Sequence, residues 1–298
     1  MQSREAPRPA LGAADINAAS GRPSGRYHLI PDFAYPSGTR LAVNFCVAYD
    51  VMIKRVLGNE PAMERTQGEF GGRVGVWRLL ELFNRHGVKA TFFTPGRVCE
   101  LFPRSLEAIA AAGHEIAAMP WEKRIPSDEN EELDHLRKTT AAIAKAAGTR
   151  PVGFSGLHQL RFLQAEGYRY RTTLIESAAE IPYYIADDKD HVLLNLPARF
   201  PLDDAMYFHF GWMGSHPGGQ RLADPEHVFS IWLSAFRAAY RARSYLRVLV
   251  HPFVSGRALR IAMLDRLIVE MKRRPGVWFP TCAEMADYCL ERFPCAAK

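Results

Sequence analysis

The chain has 298 residues, 48% of them hydrophobic, enough for one large core or two small ones. Lys and Arg outnumber Asp and Glu by 38 to 32, a net charge of +6, yet the basic residues are scattered and no stacking or helix-turn-helix signature accompanies them, so no nucleic-acid partner is expected. No apolar run approaches the roughly 18 residues of a membrane span, and the first residues lack the apolar stretch of a secretory leader, so no membrane association and a cytoplasmic setting are expected.

Residues 1–25 are rich in Ala, Gly, Pro and Ser and read as a flexible arm ahead of one domain over 26–298. Leu41–Ala48 is a continuous apolar run ending at Tyr49-Asp50, the pattern of a buried parallel strand. Val74–Arg85 carries Val74, Trp77, Leu80 and Phe83 at helical spacing and stops at Gly87. Val88–Thr94 is a second strand, Leu106–Ala112 a helix stopped by Gly113, and His114–Ala118 a third strand. Ser127-Asp128 caps a long helix to about Ala147, with acidic residues in its first turn.

The middle, about 151–224, is less regular. Val192–Leu196 and Tyr207–Phe210 read as strands, and Gly211–Arg221 as a Gly- and His-rich loop. Helix over Pro225–Tyr240, strand over Leu246–Val250, helix over Ala258–Arg273, a short strand at Val277–Pro280 and a last helix over Cys282–Arg292 complete the chain. Repeated strand–helix units of this length give a barrel-like parallel sheet wrapped by helices, with chemistry at the C-terminal ends of the strands. Asp50, Thr94, Met119 and His251 all follow predicted strands and are placed to share one mouth. The five cysteines, Cys46, Cys99, Cys282, Cys289 and Cys295, are odd in number and form no CxxC pair, so reduced thiols are expected. Cys46, inside a strand, reads as inert core, with a nucleophilic role as the lesser alternative.

Several segments in order resemble the polysaccharide deacetylase (NodB-like, carbohydrate esterase 4) superfamily, in its metal-independent, allantoinase-like and cyclic-imidase-like branch. They are Asn44–Asp50, Glu69–Arg78, Ala90–Phe93, Ala112–Ile116, His251–Arg257 and Pro275–Phe279. The resemblance covers roughly 26–292 and implies an α/β fold, a distorted (β/α) barrel, and hydrolysis of an amide or related C–N bond. In that frame the strand around Ile116 leads to two His ligands, but this chain has Met119 and Lys123 there. Met is a weak ligand and a protonated Lys repels a cation, so no metal and no other cofactor is expected. The paired acids of the first strand read Tyr49-Asp50, no Arg stands in Gly153–His158 where an Arg-Pro-Pro-Tyr-type motif belongs, and a later acidic pair reads Ala178-Ala179-Glu180.

Asp50 is the candidate general base, against a turn carboxylate, and His251 the candidate proton donor, against a His bonded within a turn before Pro252. Glu69 and Arg73, four apart, offer either a bidentate substrate clamp or a mutual ion pair. Trp121, Glu122 and Lys123 offer a stacking ring, an acid or base, and a cation standing in for the metal, against a solvated turn. His158 and Asp204 complete the substrate-binding candidates, the pair Asp203-Asp204 reading equally as a turn. A new metal site from His158, His209 and His216 lacks ligand spacing. The leading expectation is a hydrolase acting on an amide, imide or ureide bond of a small polar substrate molecule. The alternatives are a catalytically dead binding or assembly module, and a metal-free biosynthetic enzyme of cyclisation or decarboxylation. Homo-oligomer formation is left open.

Overall fold

The computed structural model describes residues 27–53, 57, 62–173, 178–209 and 223–295. The expected arm at 1–25 and the Gly- and His-rich loop with His216 lie outside these residues.

The strands are β1 (Tyr27–Leu29), β2 (Leu41–Ala48), β3 (Ala90–Pro95), β4 (Glu115–Met119), β5 (Gly153–Ser155), β6 (Tyr170–Thr172), β7 (Tyr183–Ala186), β8 (Val192–Asn195), β9 (Tyr245–Val250) and β10 (Val277–Trp278). β9, β2, β3, β4, β5, β6 and β8 pair in that order, all parallel, and β7 and β1 extend the β8 edge antiparallel. Helices α1 (Ala62–Phe70), α2 (Val76–His86), α3 (Gly96–Leu101), α4 (Pro103–Ala111), α5 (Glu129–Ala147), α6 (Leu160–Ala165), α7 (Ala205–Phe208), α8 (Pro225–Ala242), α9 (Pro252–Ser255), α10 (Ala258–Lys272) and α11 (Cys282–Arg292) are connected to and wrapped around this sheet. The result is a curled, incomplete barrel, the distorted (β/α) architecture expected from the sequence.

The alternation along β2 shows why it closes this way. Val43, Phe45, Val47 and Tyr49 join the outer core with Leu79, Phe83, Leu106 and Leu264, while the small residues Ala42, Cys46 and Ala48 join the inner core with Phe93, Ala117, Met119 and Leu249. Small side chains inside let the strands approach one another, and large ones outside fill the space beneath the helices. The floor of the barrel is α11, whose Cys282, Met285, Ala286 and Cys289 belong to the inner core. Thr281 starts it with a capping box: its hydroxyl accepts the Glu284 N–H and the Glu284 carboxylate accepts the Thr281 N–H. The long helix α5 starts as the sequence indicates, with the Asp128 carboxylate accepting the N–H groups of Asn130 and Glu131, and ends at Gly148 with φ of 73°.

One predicted strand is a helix. Tyr207 and Phe208 lie in α7, where the Asp203 carboxylate accepts the Ala205 N–H and the Asp204 carbonyl accepts the N–H groups of Tyr207 and Phe208. The alternating pattern had the look of a strand, but the local aspartates captured the backbone donors first. This turn decides the site: no β8–β9 ladder forms among the described residues, and Asp203 instead makes a single parallel bridge to Leu249 of β9. Asp204 donates its N–H to the Leu249 carbonyl.

Candidate active site

Asp50 follows β2, Lys123 lies in the turn after β4, and His251 follows β9, so the three side chains enter from the C-terminal ends of three strands. The Asp50 carboxylate is 2% exposed and is ion-paired through Oδ2 to the Lys123 ammonium, while Oδ1 accepts the Met52 N–H at 3.0 Å. Burial alone would raise the Asp50 carboxyl. The positive charges of Lys123 and His251 and the two hydrogen bonds more than offset it and hold Asp50 below the ordinary carboxylate value. The backbone here is strained: Val51, Met52 and Lys123 have φ of 45°, 54° and 58°. Left-handed geometry costs roughly 1–2 kcal/mol for a residue with a Cβ, and such residues persist where surrounding contacts over-determine them.

His251 is fixed by Asp204. Its Nδ1 stands 2.7 Å from Asp204 Oδ1, its backbone N–H is donated to Asp204 Oδ2 at 2.9 Å, and the Ser255 hydroxyl donates to the same oxygen at 2.5 Å. Burial would lower the His251 pKa, but Asp204, then Asp203 and Asp50, outweigh it and raise it above the ordinary histidine value. Asp203 is itself pushed up, by burial first and by the neighbouring Asp204 charge. With Nδ1 turned to Asp204, proton exchange with a substrate falls to Nε2.

Behind this assembly, the π-helical turn Gly71–Gly75 packs against α9. A Cβ on Gly75 would overlap the Pro252 carbonyl, and one on Gly256 would overlap Gly75 itself. These glycines let the backbone lie directly against the segment carrying His251 and Ser255.

The remaining sequence candidates are placed differently. His158 is 1% exposed and its Nδ1 is 2.6 Å from Glu132 Oε1, so it braces the loop after β5 to α5. Trp121 is 3% exposed, with the Lys138 ammonium 4.0 Å from its ring centroid and Gly96 against its edge, so it packs rather than offering an open face for stacking. Glu69 and Arg73 form the mutual, largely exposed ion pair, which is the bland alternative. Glu122 sits half-buried in the turn before Lys123. Asp204 has both oxygens engaged, by His251 and Ser255, so it orients the imidazole. His209 packs edge-on against Phe253, ring centroids 4.9 Å apart. Ser255 was not singled out from the sequence, although its spacing of four from His251 places it on the same short turn.

The metal frame does not fit a cation. Met119, 7% exposed, plugs the inner core, and the Lys123 ammonium takes the carboxylate that a metal would need. Among the described residues, Asp203, Asp204 and His251 group donor atoms within 4.8 Å of one another, but these atoms are engaged with each other, with backbone N–H groups and with Ser255.

A polysaccharide deacetylase family profile matches residues 69–156. The chain is 28% identical to the peptidoglycan deacetylase of Helicobacter pylori over 294 residues, covering 85% of this chain and 99% of that protein. The crystal structure of a Mycobacterium smegmatis protein assigned as a polysaccharide deacetylase superposes with a TM-score of 0.77 at 28% identity, over 86% of this chain and 92% of that one. The fold is also that of PuuE allantoinase, with a TM-score of 0.76 at 23% identity over 87% and 93% of the two chains. These similarities are to deacetylase-family hydrolases, which act on C–N bonds. The chain thus carries a polysaccharide deacetylase match over residues 69–156 and is similar to polysaccharide deacetylases along most of its length. Among the described residues, no helix is long and apolar enough to cross a membrane.

Proposed function

We propose that the protein hydrolyses an amide, imide or ureide bond of a small polar molecule without a metal ion, with Lys123 in the place of the cation. The observation that carries this reading is the ion pair between the Lys123 ammonium and the buried Asp50. An ammonium has three N–H donors; one faces Asp50 and the others are available to polarise a substrate carbonyl and hold the charge that develops on its oxygen. Asp50 orients the attacking water and receives its proton as the C–O bond forms. His251, its pKa raised by Asp204, donates a proton to the nitrogen as the C–N bond breaks. The likeness to PuuE allantoinase is a likeness of fold, and the choice of an imide or ureide over an N-acetyl sugar rests on the altered metal frame. A cytoplasmic setting accords with the five free thiols.

One observation favours a binding role instead. Both Asp50 oxygens are engaged and its pKa is lowered, which makes the carboxylate a weak base. The deciding experiment measures metal content of the purified protein and screens ureides, cyclic imides and N-acetyl sugars for hydrolysis in chelator. Chelator-resistant turnover that is lost in Asp50→Asn and in His251→Ala is the expected result. Stoichiometric metal, or turnover abolished by chelator, overturns the metal-free mechanism; binding without turnover supports the second reading.

A further inference from the structure

The barrel interior below the mouth holds a polar cluster that the proposed hydrolysis does not use. Cys46 of β2 and Cys282 of α11 are fully buried free thiols with their sulfurs 3.5 Å apart. The buried Arg247 of β9 donates its Nε–H to the Cys46 sulfur at 3.2 Å, and its guanidinium lies 5.3 Å from the Phe93 ring centroid. The Cys282 N–H is held at 2.8 Å by the Thr91 hydroxyl, which donates in turn to Glu115. Glu115 also accepts from the Tyr170 hydroxyl at 2.7 Å and the Ala283 N–H at 2.8 Å. Arg247, Thr91, Glu115 and Tyr170 are thus held in place, and the two sulfurs face each other with the Arg247 cation on Cys46.

We propose that Cys46 and Cys282 are a thiol-oxidation site for a hydroperoxide, with Cys46 the attacking sulfur, held by Arg247, and Cys282 the resolving one. Asymmetry in the pair supports the assignment. For Cys46, burial opposes ionisation, but the Cys282 hydrogen bond and the Arg247 charge prevail and lower its pKa; for Cys282, burial and its neighbour raise it. The thiolate is the reactive form, so the two sulfurs have distinct roles. The groups around Cys46 are Arg247 and Tyr245 from β9, Cys282 from α11, Glu115 from β4 and Tyr170 from β6, and Arg247 is the one cation among them. A cavity of about 250 Å³ lies nearby, walled by His114, Glu115 and Ala283; Ala283 adjoins Cys282 in the chain, and neither sulfur lines the cavity.

The chemistry balances. The Cys46 thiolate attacks one peroxide oxygen, the O–O bond breaks, and the leaving oxygen departs as water after protonation, leaving a sulfenic acid on Cys46. Cys282 gives up its proton and attacks that sulfur, the S–O bond breaks, and a second water leaves. Two thiols lose two electrons to the peroxide, and one proton is taken up from solvent to replace the one Cys46 had already lost.

The test uses the full-length protein with hydrogen peroxide. Unreacted thiols are alkylated after denaturation and the chain is digested without reductant. The expected product is a cross-linked peptide pair joining Cys46 to Cys282. Its rate of formation is expected to rise less steeply between pH 6 and 8 than that of an ordinary thiol, which speeds up by close to tenfold per pH unit in that range. Cys282→Ala is expected to leave a sulfenic acid on Cys46 that dimedone traps. Oxidation of Cys295 alone, no oxidation, or a Cys46 rate rising tenfold per pH unit overturns the proposal. The first two readouts need no variant, so a folding defect in Cys282→Ala does not protect it.

Discussion

Replacing Asp204 by Asn keeps the shape of the side chain that orients His251 and removes its charge. In the wild-type protein His251 Nδ1 and its backbone N–H both meet that carboxylate, at 2.7 and 2.9 Å, and Asp204 is the first of the groups that raise the histidine against the lowering effect of burial. A hydrogen bond to a charged partner contributes about 1.5–3 kcal/mol. Its loss lowers the His251 pKa, with burial then opposed only by Asp203 and Asp50. Because the wild-type folded value lies above the ordinary one, the associated stability is fully present below the ordinary histidine pKa and is lost as pH rises through the folded value. In Asp204→Asn this pH-dependent loss is smaller. The assay is an NMR titration of the His251 ring in both proteins, with urea melts at matched pH, and neither needs the substrate. A His251 pKa within about 0.3 unit of wild type refutes the assignment of Asp204 as the group that sets it.

Lys123→Met leaves Asp50 buried without its cation, and because the Lys123 side chain is 39% exposed the cost is discounted from that of a fully buried pair to about 1–3 kcal/mol. The pH dependence reverses with it: wild-type stability from Asp50 is present above the ordinary carboxylate pKa and falls as pH drops through the lowered folded value, whereas the variant, with burial dominant, gains stability on acidification. Urea melts at several pH values read both effects; an unchanged profile refutes the pair. Gly75→Ala forces a Cβ into the Pro252 carbonyl, and an overpacking cost of about 1–3 kcal/mol is expected as a lower thermal midpoint together with a shifted His251 ring resonance. His158→Leu removes the imidazole partner of the buried Glu132 carboxylate, leaving it the Gln159 donors, and is expected to lower the midpoint while leaving kcat/KM on any substrate found within twofold; a tenfold loss returns His158 to the site.

The strand and helix order was legible in the residues because each signal is local. The apolar run of β2, the Gly87 and Gly148 stops and the Asp128 cap act within a few residues of themselves. The positions of Asp50 and His251 at strand ends followed from the barrel rule for the same reason. The partners did not. Asp204 reads as a turn residue until the gap between β8 and β9 brings it against Leu249 and His251, 47 positions along the chain. Cys46 reads as an inert core thiol until α11 closes the barrel floor and brings Cys282 from 236 positions away. Conversely, His158 and Trp121 carry site-like side chains that packing consumed. The sequence by itself determined which backbone segments form strands and helices and which residue types stand at their ends. Tertiary closure alone decided which charges meet, because a carboxylate, an imidazole or a thiol acquires its pKa and reactivity from neighbours that no local spacing encodes.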